Sequence, residues 1–248
     1  MFSLQEDISE ELDSCGCSVV SGSKFSLTGQ YDAFTRMVRS WETMSKDKYY
    51  GNEGKATRYR RYSDFIYSPK TGKLLPTEHR PYFQSETMNH YVGGLERHFE
   101  DIDEDLMTNP LIESLVQLDF EIYKGLLPEE LWDQDWQCQI HQIRIEVEPG
   151  QEVEITPEGI HSDGYPFSAV HFGGKENISG ANSRVYTQQK QQITETRFEE
   201  FLDTLYFKDR DLMHYVTPAK TADNSAKGYR QIIAISFSIP GTEYDTVR

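Results

Sequence analysis

Cysteine is scarce: the 248 residues hold three, Cys15, Cys17 and Cys138. So small and odd a number argues against a disulfide framework and for a reducing compartment. Cys15 and Cys17 form a CxC, yet two thiols without further cysteines or a nearby histidine make a poor tetrahedral metal set. Long apolar runs are missing too. None approaches the roughly eighteen residues of a membrane span, and the opening MFSLQEDISEELD is acidic where a secretory signal would be basic. The expectation is a cytoplasmic protein. Basic charge is in deficit, with Lys+Arg 25 against Asp+Glu 41 and a net charge of −16. Such a surface repels phosphate backbones, so neither nucleic acid nor a membrane is an expected partner. Part of the acidity sits in the block Glu100 to Asp105, which reads as a solvated face. Repeats, low-complexity segments and Pro/Gly/Ser linkers are also absent, and the chain reads as one domain over 1–248. A chain of this length can stabilise its own core.

Aromatic residues are plentiful, at 12% with Tyr 15 and Phe 13, which favours strands over a helical bundle. Residues 1–135 contain the helical patterns. Tyr31, Phe34, Val38, Trp41 and Ser45 follow a helical rhythm. A second helix has Asn109 as N-cap, Pro110 at its first position, a stripe of Leu111, Leu115, Leu118 and Ile122, and a stop at Gly125. Between them Arg58 to Tyr67 alternates like a strand. From Trp136 to about residue 240 the period becomes two. Ile143, Ile145 and Val147 share one face, with Gln142, Arg144 and Glu146 on the other. Near the C-terminus Ile233, Ile235, Phe237 and Ile239 form an apolar face, opposite Arg230, Ala234, Ser236 and Ser238. Thr196 to Phe207 fits a helix better than a strand. The expected fold is β-rich α+β, a double-stranded β-helix (a cupin-like jelly-roll) with helices packed outside.

Seven histidines are present, and His161 is the informative one, in PEGIHSDG. On a strand, residues i and i+2 point to the same side, so His161 and Asp163 can offer an imidazole and a carboxylate to one ion. A further imidazole would complete a 2-His-1-carboxylate face, leaving three octahedral positions open for Fe(II) oxygen chemistry. Two of those suit a 2-oxo acid and one suits O₂. A surface histidine beside an aspartate gives the same pair.

His214 follows Asp163 by 51 residues, and Arg230 follows His214 by 16. That order resembles the signature of the 2-oxoglutarate/Fe(II) dioxygenases. Over residues 55 to 240 the strings RYRRYSDF, HQIRIEVEPGQ, TPEGIHSDG, ENISGANS and HYVTPA are similar to the isoleucine 4-dioxygenase type of free amino-acid hydroxylase. The resemblance implies His161, Asp163 and His214 as iron ligands and Arg230 as the bidentate anchor of the 2-oxoglutarate carboxylate. It implies Fe(II), 2-oxoglutarate and O₂ as the reactive set and hydroxylation of a C–H bond of a free amino acid, with succinate and CO₂ as coproducts. Three positions depart from the subgroup: Ser162 replaces a charged residue, Ala181 follows Gly180 in place of a second glycine, and Ile232 stands where many such enzymes carry a serine. Either a different hydroxyl then assists the carboxylate, with Thr217 and Tyr186 as candidates, or none does. Gln142 and Arg144 are further candidates for cosubstrate or substrate, and Arg58, Arg60 or Arg61 for a substrate carboxylate. His141 and His171 read as buried supporting groups, and Asn177 as the closer of a turn. The same chemistry on a peptide, carrier-bound or natural-product substrate is the alternative, as is a non-catalytic cupin-like metal-binding module, for which Arg230 would have no purpose.

Overall fold

The computed structural model describes residues 2–28, 31–51 and 54–246. Its elements run β1 (Phe2–Leu4), α1 (Ser9–Cys15), β2 (Cys17–Val20), β3 (Phe25–Leu27), α2 (Tyr31–Arg39), β4 (Ala56–Ser68), β5 (Lys73–Pro76), α3 (Glu104–Met107) and α4 (Pro110–Lys124). Then follow β6 (Trp136–Val147), β7 (Glu152–Val153), β8 (Phe167–Glu176), β9 (Ile178–Gly180), β10 (Ser183–Thr187), β11 (Gln192–Thr196), β12 (Thr204–Phe207), β13 (Leu212–Val216), β14 (Ala219–Thr221) and β15 (Gly228–Ser238).

Seven strands form one antiparallel sheet in the order β2-β12-β8-β15-β6-β4-β5. Two three-stranded sheets, β7-β14-β9 and β11-β10-β13, supply the opposing strands. This is the double-sheet jelly-roll. Strands from before residue 135 take part in the large sheet, so the sheet is not confined to the chain after Trp136.

The outer face of the large sheet is covered by α4. Asn109 accepts a hydrogen bond from the Leu111 amide and Pro110 opens the helix, as the sequence indicates. Its buried face is centred on Leu111, Ile112, Leu115, Val116, Phe120 and Tyr123, so Leu118 and Ile122 lie only at its margin. In α2 the buried side chains are Ala33 and Met37, while Tyr31 and Val38 face solvent. The helix starts where the rhythm places it but ends at Arg39, short of Trp41 and Ser45, and it is turned.

Thr196 to Phe207 is not helical. Asp203 accepts from the Glu199 and Glu200 amides and Leu202 adopts a left-handed φ of 67°, which makes a tight turn before β12. β12 is then held between β2 and β8. Ladder pairing on both sides outweighs the local helical spacing.

Register decides which side chains face inward. Arg60 pairs with Ile143, and Ile143 with Ile232, so these three share the inner face. Arg61, Gln142 and Ile233 share the outer, helix-covered face. Ile233, Ile235, Phe237 and Ile239 accordingly join the core beneath the helices.

Candidate active site

Between the layers lies a narrow cavity of about 140 Å³. His161, Asp163 and His214 line one part of it, and Arg230 lines the same cavity from β15. His161 and His214 are brought together by a short antiparallel bridge, with backbone hydrogen bonds in both directions at 3.1 and 2.7 Å. The ligating atoms of the three side chains lie within 4.8 Å of one another. Nε2 of His161 is 3.8 Å from Asp163 Oδ1, and Nε2 of His214 is 3.7 Å from Asp163 Oδ2. Among the described residues no other cluster of three such side chains could hold a metal ion.

Each of the three side chains is oriented from behind. Nδ1 of His161 is 2.9 Å from the Gly159 carbonyl, which fixes Nε2 toward the cavity. Nδ1 of His214 is 3.2 Å from Oδ1 of Asp209, a carboxylate with no exposed surface. Asp209 also accepts from the Asp163 and Tyr165 amides and from the Ser162 hydroxyl. Ser162 is therefore turned toward Asp209. Gln84 donates to Asp163 Oδ1 at 2.6 Å, while its own oxygen accepts from Arg97 and Asn89. Such outer partners fix ring orientation and ligand basicity.

The electrostatics suit a cation. Burial opposes charge on His214, but Asp209 and Asp163 outweigh it and raise the imidazole to about 9. Burial acts to raise Asp163, yet His161, His214 and the Gln84 hydrogen bond together hold it below the usual carboxylate range. A divalent ion would take the place of those protons.

Arg230 is buried beside Phe172 and Phe198, and no carboxylate or hydrogen-bond acceptor among the described residues pairs with it. Burial alone lowers its guanidinium to about 10. A buried unpaired cation is costly, and a carboxylate entering the cavity would relieve it with two parallel hydrogen bonds. The donor set and the orphaned guanidinium fit Fe(II) with 2-oxoglutarate.

Other expected residues are placed elsewhere. Gln142 is not among the residues lining the cavity: it is fully buried on the outer face, donating to Ser40 Oγ at 2.7 Å. Thr217 also falls outside the lining, its hydroxyl accepting from the Asn182 amide, and Tyr186 is likewise absent from it. Hydroxyls that do line it are those of Tyr82, Thr156, Ser168, Ser183, Tyr215 and Ser236. Arg144 pairs with Glu146 on the outer face. Of the three candidate arginines, Arg58 borders the cavity but is paired with Asp47, and Arg61 turns to Asp103 and the carbonyls of Ser40 and Thr43. Arg60 stays in the cavity, packed on Tyr82 and Phe99 with its guanidinium against His141 Nδ1. His171 lies beneath α4, bonded to Asp119 and Thr204. Asn177, at a φ of 49°, donates to the Asp223 and Ala226 carbonyls and closes a turn. The three thiols are unpaired. Gln84, Arg97 and Asp209 carried no sequence signal, since nothing local distinguishes an amide, a cation or an acid that will meet the site across the fold.

A model of the 2OG-Fe dioxygenase family matches residues 38–236. The chain belongs to that family. This dioxygenase is 26% identical over 245 residues to an L-isoleucine-4-hydroxylase of Bacillus thuringiensis, covering 98% of each chain. It is 24% identical over 210 residues to a 3(1)-hydroxy-L-isoleucine 4-dioxygenase of Pantoea ananatis, covering 83% of this chain and 81% of the other. A solved structure of a bsmA homolog from Methylobium petroleophilum PM1 shares its fold with a TM-score of 0.80 and 26% identity, covering 96% of this chain and 94% of that one. Membership brings Fe(II), 2-oxoglutarate and O₂ as metal, cosubstrate and oxidant. No helix among the described residues is long and apolar enough to cross a membrane.

Proposed function

We propose that this dioxygenase hydroxylates an aliphatic C–H bond of a free L-amino acid, with His161, Asp163 and His214 holding Fe(II) and Arg230 anchoring 2-oxoglutarate. The observation that carries the assignment is the buried Arg230 with no acidic partner, in one cavity with the triad. A metal-binding module would have no use for that cation. When bound, Fe(II) with 2-oxoglutarate and O₂ supplies the oxidation, converting the cosubstrate to succinate and CO₂ as the C–H bond becomes C–OH. The chain's own share is positioning. Asp209 and the Gly159 carbonyl hold the imidazoles, Gln84 holds the carboxylate, and the apolar walls at Ile143, Ile145 and Ile232 keep water from the reacting centre.

The free amino-acid substrate is supported by relatives named for L-isoleucine and its hydroxylated form, matched over most of the chain. A cytoplasmic location and a small-molecule partner, with neither nucleic acid nor membrane involved, are supported by the net charge of −16 and three free thiols. The test compares succinate release and hydroxylated product for L-isoleucine, its amide and its N-acetyl form. Turnover of the free amino acid should exceed that of either capped form by several kcal/mol in kcat/KM, roughly 10²-fold or more, because each cap leaves a buried partner unpaired. Equal or faster turnover of the capped forms would overturn the reading in favour of a peptide or carrier-bound substrate.

A further inference from the structure

A second, wider cavity of about 330 Å³ meets the first at Gln84 and Asp163. Its size falls in the range of small-molecule pockets. Ile66, Pro81, Phe83, Met88 and Pro240 supply an apolar wall, and Asp163 of the triad borders it. Asp64 also lines it, from the inner face of β4. That carboxylate is 7% exposed. It accepts hydrogen bonds from Tyr62 Oη at 2.7 Å, Gln137 Nε2 at 3.0 Å and Gln139 Nε2 at 2.8 Å. All three donors are neutral, and no cation among the described residues pairs with it. Gln139 is held in turn by the Tyr165 hydroxyl, so the group is fixed from the same segment that carries Asp163.

We propose that Asp64 is the receptor for the substrate's ammonium group, and that the amino acid occupies this second cavity with its side chain directed to the triad. The inference rests on the amino-acid reading above. Neutral donors orient the carboxylate without neutralising it, so one negative charge stays buried beside a cavity, where an alkylammonium can compensate it. Arg80, at the exposed rim, is the arginine lining this cavity and faces a carboxylate on the same ligand. The cations Arg60, Arg97 and Arg230 line the other cavity, which suits the dianionic cosubstrate. The two cavities thus differ in charge as two ligands of opposite demand require.

The experiment uses the full chain and three probes: L-isoleucine, 2-methylbutylamine (its skeleton without the carboxylate) and 3-methylpentanoate (its skeleton without the amine). Binding is measured by calorimetry in the presence of Mn(II) and 2-oxoglutarate, and turnover with Fe(II). Wild type should bind the two amines. Asp64→Asn should weaken both on the order of ten- to a hundredfold and leave 3-methylpentanoate and 2-oxoglutarate binding unchanged; Asp64→Glu should recover part of the loss. A purely structural Asp64 would weaken all probes alike, and that result overturns the proposal. If wild type turns over L-isoleucine and Asp64→Asn binds it equally well, the subsite is wrong while the amino-acid function stands. If wild type binds neither amine, both fall.

Discussion

At the scale of single residues, Arg230 carries the largest electrostatic consequence. Its guanidinium is buried and has no partner among the described residues, so a carboxylate entering the cavity would meet it without competition. Arg230→Ala should raise the KM for 2-oxoglutarate by an amount corresponding to about 2–5 kcal/mol, with little change in fold stability. Arg230→Lys should recover only part, because an ammonium offers a point charge where the carboxylate meets a planar fork. Steady-state kinetics with varied 2-oxoglutarate would decide it; an unchanged KM in the alanine variant would move the anchor to Arg60 or Arg97, cations of that cavity that no carboxylate among the described residues pairs with.

At the scale of elements, the segment between β5 and α3 has little regular structure yet reaches the site. Through it Gln84 bonds Asp163, and Arg97 and Asn89 lock Gln84. Gln84→Leu removes the donor to Asp163 while keeping the side chain's bulk. Metal affinity should fall about 10–100-fold, the usual cost of losing an outer partner. Titration with Mn(II) reads this directly, and an unaltered affinity would show that β13 and the His161 bridge position the triad by themselves. The strands explain why some expectations fail. β6 is apolar on its outer face at Trp136, Cys138 and Ile140 but on its inner face at Ile143 and Ile145. Alternation alone therefore assigns Gln142 to the cavity side, when the residue lies under the helices with Ser40.

At the scale of the whole molecule, a metal held by the proposed triad would compete with a proton for the same site. His214 is raised from 6.5 to about 9 in the folded chain. Without metal, its proton contributes stability that is fully present below about 6.5 and is lost as pH rises through about 9. Metal binding requires the deprotonated imidazole, so its stabilisation runs the other way. Saturating Mn(II) with 2-oxoglutarate should raise Tm, and the increment should grow as pH rises toward 9. Removal by chelator should reverse it. Thermal unfolding with and without Mn(II) across that pH range is the measurement, and a shift that shrinks with rising pH would contradict the linkage.

The sequence by itself determined the period-two strands, the capped helix at Asn109 and Pro110, and the candidacy of His161, Asp163, His214 and Arg230. Those features are local, or recur at spacings a linear chain displays: alternation sets which residues share a face, and an HxD needs only one strand. Tertiary structure alone decided the rest. Pairing of β12 with β2 and β8 overrode the helical spacing of Phe198 to Leu205, and the register of β4, β6 and β15 chose which arginines face inward. Asp209 and Gln84 met the triad, and Asp64 met Gln139, across 46, 79 and 75 residues of chain. A hydrogen bond of that reach leaves no trace in composition or periodicity, because its partners are neighbours only after the sheets have closed.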